Sequence, residues 1–261
     1  MADKISLHYQ FQQAPNPSDS AVKTMVFLHG LFGDFNNLGA IARAFSTHYS
    51  ILKVDLRNHG QSFHSDKMDY PLMAQDLRDL LLHLHIQDAI VIGHSMGGKT
   101  AMTLAHIAPE LVERLVVIDI APVAYPLHRH DDIFAGLFAV KAAKPANRIE
   151  ARNAIAQAIP NEGIQQFMLK SFDPQSPELF KFNLSGLKQN YENLMGWQAV
   201  KVDKPTLFIK GELSDYLQEK DTQTILAQFP QAKSFIVSNA DHWVHAEKPE
   251  AVIRAIQKFL G

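Results

Sequence analysis

One serine, one histidine and two aspartates in this chain stand at spacings from which a proton relay can be built. Ser95 is the centre of Gly93-His94-Ser95-Met96-Gly97, between an apolar run, Ala89-Ile90-Val91-Ile92, and a helical pattern that follows from Lys99. Glycines on both sides let a strand and a helix approach closely and push the hydroxyl out at the strand's end, as in a nucleophile elbow. A lone Gly-x-Ser-x-Gly is common, so the strand before it and the helix after it carry the weight. A serine hydroxyl attacks only when a base takes its proton, and the base needs a third group to hold its tautomer. In chains built on such an elbow the order is serine, acid, histidine, with the histidine after the last strand. His242, in Val237-Ser238-Asn239-Ala240-Asp241-His242-Trp243-Val244-His245, fits that slot. Its competitors fit less well. His29 and His94 lie in backbone-shaping motifs, and His245 stands further towards the final helix.

The acid has two candidates. Asp119 ends the apolar run Leu115-Val116-Val117-Ile118, where a side chain at a strand's carboxyl end can face the histidine loop. A carboxylate in such surroundings needs a partner to offset its desolvation, and an imidazole supplies one. Asp215 lies in Gly211-Glu212-Leu213-Ser214-Asp215-Tyr216, one residue beyond the place the acid commonly takes, which Ser214 fills. Strand-end placement favours Asp119, and Asp215 stays open; Asp241 is disfavoured because adjacent side chains point apart. Attack on a carbonyl also needs donors for the developing oxyanion, each worth ~3 kcal/mol. The amide of Met96, at a helix N-terminus, and that of Leu31, in His29-Gly30-Leu31-Phe32-Gly33, stand in the right places.

Elements that must position these groups follow from periodicity. Strand-like runs are expected over the alternating start of the chain and at Thr24–Leu28, Ile51–Leu56, Ala89–Ile92, Leu115–Asp119, Thr206–Lys210 and Ser234–Val237. Helical spacing separates them, for example over Tyr70–His85, so the expected class is α/β, a mainly parallel sheet with helices on both faces. The alternation breaks at residues 123–200, where helices are expected over Asp131–Lys144, Asn147–Ile159, Glu162–Phe172 and Leu184–Trp197. The expected organisation is a core from residues 1–122 and 201–261 with a helical cap of residues 123–200 inserted after the sixth strand.

Composition excludes several classes. With 261 residues, 46% hydrophobic and 20% charged, the chain is long enough for one sizeable core. A net charge of −2 gives no general attraction to nucleic acid or anionic membrane. The absence of cysteine removes disulfides and thiolate metal sites and fits a reducing cytoplasm. No apolar run approaches the ~20 residues of a membrane span, and the start lacks the apolar core of a signal peptide. His242 and His245 have metal-like spacing without a matching ligand set, and the glycine-rich segments fit neither a phosphate loop nor a dinucleotide fingerprint. Neither metal nor cofactor is expected.

Five segments in order then carry a family resemblance: His29-Gly30-Leu31-Phe32-Gly33, Asp55-Leu56-Arg57-Asn58-His59-Gly60, Gly93-His94-Ser95-Met96-Gly97-Gly98-Lys99, Ile118-Asp119-Ile120-Ala121-Pro122-Val123 and His242-Trp243-Val244-His245-Ala246-Glu247-Lys248-Pro249. Together they resemble the bacterial YbfF-type esterases of the α/β-hydrolase superfamily. The resemblance implies an eight-stranded α/β-hydrolase sheet, a helical cap, a cytoplasmic serine hydrolase of acyl esters and acyl-CoA thioesters, and the acid at Asp119. An aspartate at position 215 departs from that pattern. The same triad also serves C–C bond hydrolases and lyases, so fold and triad leave that alternative standing. On the substrate side, Leu31, Phe32, Met96, Phe138, Met195 and Trp197 are candidates for an apolar acyl pocket, and His128-Arg129-His130 for holding an anionic group.

Overall fold

The chain is described here from a computed structural model, which covers residues 7–15 and 22–261. Its strands are β1 (Tyr9–Gln12), β2 (Thr24–Leu28), β3 (Ser50–Val54), β4 (Ala89–His94), β5 (Val112–Ile118), β6 (Thr206–Gly211) and β7 (Ala232–Val237). Among the described residues they form one seven-stranded sheet in the order β1-β3-β2-β4-β5-β6-β7. Only β1 runs antiparallel, pairing Tyr9 with Val54 at the edge of the sheet. The expected eight strands are therefore seven, and the helical insertion follows the fifth strand rather than the sixth. The strand-like runs expected from the sequence number seven, five of them before the insertion. The expected first strand is met only at its end, since residues 1–6 lie outside the described residues, as do 16–21.

The central strands are apolar on both sides because helices cover both faces. Side chains alternate between two cores at the strand period. From β2 and β4, Met25, Phe27, Ile90 and Ile92 enter one core with α1 (Gly39–Phe45), α10 (Val244–Glu247) and α11 (Pro249–Leu260). Val26, Leu28 and Val91 enter the other, beneath α2 (Tyr70–His83), α3 (Met96–Ile107) and α9 (Thr222–Gln228). That second core runs on into the insertion, α4 (Asp131–Ala143), α5 (Arg148–Ile155), α6 (Glu162–Leu169), α7 (Leu184–Gln189) and α8 (Tyr191–Met195), through Phe134, Leu137, Phe182 and Leu187.

One helix expected over Leu184–Trp197 is two. It breaks at Asn190, whose side-chain amide donates to the carbonyls of Gly186 at 2.9 Å and Asp66 at 3.0 Å, while its oxygen accepts from the Met68 amide at 2.9 Å. An asparagine that serves backbone groups of another loop competes with the helix for its own turn.

Candidate active site

The elbow is tight for a steric reason. A Cβ at Gly93 would lie 2.2 Å from the Gly97 carbonyl oxygen, and one at Gly97 would lie 2.4 Å from that of Leu28. No side chain fits either place, so β4 passes into α3 over a single residue. That residue, Ser95, takes φ 52° and ψ −118°, a conformation a non-glycine residue adopts at a cost and that marks functional turns. Its amide donates to Ile118 O at 2.9 Å, fastening the elbow to the end of β5.

Asp119 follows at that strand end, fully buried, with φ 51°. One carboxylate oxygen accepts from the Gly211 amide at 2.9 Å; the other accepts from Ser214 Oγ in a short hydrogen bond and lies 2.8 Å from His242 Nδ1. On the far side of the ring, His242 Nε2 is 3.0 Å from Ser95 Oγ. The three residues separated by up to 147 positions thus form one chain of hydrogen bonds. Burial raises the Asp119 pKa to about 6, against the hydrogen bonds from Ser214 and Gly211 that favour its charge. Burial and the nearby Arg129 charge lower that of His242 to about 3. At neutral pH the pair is therefore carboxylate and neutral imidazole, the state in which Nε2 can accept a proton. The Tyr216 ring stacks on the imidazole at 3.8 Å between centroids and 19° between planes, which fixes the plane in which it moves.

The alternative acids face elsewhere. Asp215 pairs with Arg129 at the surface, its side chain 66% exposed. Asp241 Oδ1 accepts the His242 backbone amide at 2.8 Å and so shapes that residue's loop. The competing histidines serve the backbone. His29 Nδ1 donates to Gly30 O at 2.8 Å while Nε2 accepts from Leu56 N at 3.0 Å. His94 Nε2 donates to His242 O at 2.9 Å, and His245 packs its ring 4.2 Å from that of His94.

Leu31 and Met96 line the same cavity as Ser95 and His242. Among the described residues neither amide donates to a protein acceptor, whereas the next amide, that of Phe32, is taken by His59 Nε2 at 3.2 Å. The loop is held from behind by Asp55, 1% exposed, which accepts from Phe35 N at 2.7 Å and Gln61 N at 3.0 Å. Asp55, His59 and Gly60 thereby explain the second motif as scaffolding for the first: a Cβ at Gly60 (φ +55°) would collide with the Asp55 carboxyl at 2.1 Å.

Of the candidate acyl-pocket residues, Leu31, Phe32, Met96 and Met195 line the cavity, with Ile120, Ile133, Phe167 and Leu194. Phe138 and Trp197 do not. Phe138 lies at the edge of α4's buried face, 36% exposed, and Trp197 Nε1 donates to Gln228 at 2.9 Å, which turns the indole towards the rim of α9. The anion-holding candidates already have partners: His128 with Asp131 at 2.8 Å, Arg129 with Asp215, and His130 between Tyr191 at 2.6 Å and Tyr216 at 3.0 Å.

Ser214 and Tyr216 were not among the expected site residues. A signal for Ser214 existed, because a hydroxyl standing where the acid commonly sits can reach a carboxylate displaced to the neighbouring strand. Among the described residues, no group of three or more histidines and carboxylates is arranged to hold a metal ion, and no helix is long and apolar enough to cross a membrane.

Comparison with known proteins agrees with this architecture. The family model described as the alpha/beta hydrolase fold matches residues 23–249. A putative esterase/lipase of Haemophilus influenzae is 54% identical over 99% of this chain and 89% of its own length. Esterase YbfF of Escherichia coli is 43% identical over 98% of this chain and 100% of its own length. The solved structure of a marine microorganism esterase superposes with a TM-score of 0.90 at 32% identity, covering 98% of this chain and 100% of that one.

Proposed function

The chain belongs to the α/β-hydrolase fold family, among the esterases similar to YbfF, and from that premise we propose that it is a serine hydrolase cleaving carboxylic esters and acyl thioesters, acyl-CoA among them. The observation that carries the reading is the hydrogen-bonded chain from Ser95 through His242 to buried Asp119. Ser95 Oγ attacks the acyl carbonyl as His242 Nε2 takes its proton. The carbonyl oxygen, now negative, is held by the amides of Leu31 and Met96, the latter at the positive end of α3. His242 returns the proton to the leaving alkoxide or thiolate, and an acyl group stays on Ser95. Water activated by the same imidazole then releases the acid. Asp119 keeps Nδ1 protonated and stabilises the imidazolium of each step.

Residues 123–200 act in this reading as a cap over a core of residues 1–122 and 201–261, since His130, Ile133, Phe167, Met168, Leu194 and Met195 wall the cavity above Ser95. A chain without cysteine suits work in the cytoplasm. The test is steady-state and burst kinetics with short p-nitrophenyl esters and acyl-CoAs. A burst of leaving group equal to enzyme, followed by slower turnover, is expected of an acyl-enzyme. Turnover of carbon–carbon substrates with no ester or thioester cleavage would replace this reading by a C–C hydrolase.

A further inference from the structure

Lys99 lines the same cavity as Ser95 and takes no part in the relay. It sits in the first turn of α3, where the helix dipole disfavours a cation, and its side chain is 1% exposed. Among the described residues no carboxylate pairs with it. Its ammonium makes one hydrogen bond, to Gly196 O at 3.1 Å. Around it stand the rings of Tyr125, Tyr70 and Trp197, with centroids at 4.8, 5.3 and 5.5 Å. Aromatic faces attract a cation, yet they do not replace the strong acceptors that an ammonium's three N–H groups seek. Burial lowers its pKa to about 7, so the cost of this placement is visible. Tyr70 and Tyr125 border the cavity too, so the cage opens on the space an acyl chain would occupy.

Resting on the hydrolase reading, we infer that Lys99 selects the acyl group: the cavity takes acyl chains that carry an acceptor oxygen, keto or carboxylate, beyond the scissile carbonyl. Such an oxygen pairs N–H groups that an all-carbon chain leaves unpaired. A charge-assisted hydrogen bond gained in this way corresponds to a factor of roughly 10 to 100. The rival role is a clamp between α3 and the end of α8, for which acyl chemistry is irrelevant.

Three alkyl esters of matched chain length separate the two roles: ethyl pentanoate, ethyl levulinate and monoethyl succinate, followed by acid release in a pH-stat. The wild-type enzyme should favour levulinate, succinate or both over pentanoate by roughly tenfold or more in kcat/KM. Lys99→Met should bring that ratio to about one. Lys99→Gln, which keeps donors and loses the charge, should retain a levulinate preference and lose a succinate one. A preference for levulinate alone identifies a neutral acceptor; a succinate preference that fades above pH 7 identifies the carboxylate. Equal turnover of the three esters by the wild-type enzyme overturns the inference without need of any variant, and so does a preference that survives Lys99→Met. Turnover of none of the three by an enzyme that cleaves p-nitrophenyl esters or acyl-CoAs overturns this inference alone, and cleavage of no ester or thioester overturns the hydrolase reading with it.

Discussion

The two walls of the cavity are built differently. On the core side, Ser95, Asp119 and the His242 loop follow the parallel strands β4, β5 and β7, and their bonds run through fully buried carboxylate and backbone groups. On the insertion side, Arg129 and His130 meet the core through a guanidinium over the Tyr216 ring, a hydrogen bond between His130 and the Tyr216 hydroxyl and an ion pair with an exposed aspartate. Buried networks are costly to break because a severed partner is left unsatisfied, whereas exposed pairs are worth at most ~1 kcal/mol. The relay candidates are thus anchored in buried bonds, whereas Arg129 and His130 reach the cavity rim through weaker, partly exposed ones, although the helices behind them share the core of the sheet. Substitutions on the core wall should act on kcat, and those on the insertion wall on KM and selectivity.

The largest expected effect is that of Ser95→Ala, a loss of about 10⁶ in kcat, as for other serine nucleophiles. Asp119→Asn should follow with about 10⁴, because the amide NH2 donates to Nδ1 and leaves His242 in the wrong tautomer. Asp215→Asn, in the same assay, should change kcat less than about threefold, since this carboxylate is 66% exposed and pairs with Arg129 rather than with His242. A larger loss for Asp215 than for Asp119 would exchange their roles. Ser214→Ala comes next. Its hydroxyl lowers the Asp119 pKa, so removal raises the pH at which the pair takes up a proton. The active form is carboxylate with neutral imidazole, hence kcat/KM should fall below about pH 6 in the wild-type enzyme. In Ser214→Ala that acid limb should move to higher pH, with a loss in kcat of roughly tenfold. The smallest effect is expected for Arg129→Ala: KM rises about threefold while kcat holds within about twofold. An Arg129→Ala loss concentrated in kcat would erase the distinction between the walls.

What the sequence made legible divides along the same line. Ser95 and His242 stood out by local rules, two glycines that force a turn and a histidine in the last loop. Strand-end placement only favoured Asp119 over Asp215, and the structure brings Asp119 to His242. Tyr216 was not legible, because its stacking on His242 depends on where two loops from different strands meet. Phe138 and Trp197 were candidates for the pocket on apolarity alone, with packing of the insertion on the core as the alternative, and one lies at the edge of its helix's buried face while the other follows the partner of its indole N–H. Periodicity also missed the break at Asn190, since the loop that claims its side chain is over 120 residues away. A mainly parallel sheet was legible in kind but not in strand number, where one strand more was expected than the described residues form.

The central claim is that one hydroxyl, raised on the elbow and activated by His242, carries the reaction. Treatment with a fluorophosphonate, followed by peptide mass spectrometry, tests it most directly. A single adduct on the peptide containing Ser95 is expected, formed more slowly as the pH falls below about 6 and nearly abolished by His242→Ala. An adduct on another residue, or undiminished ester turnover by Ser95→Ala, would contradict the account.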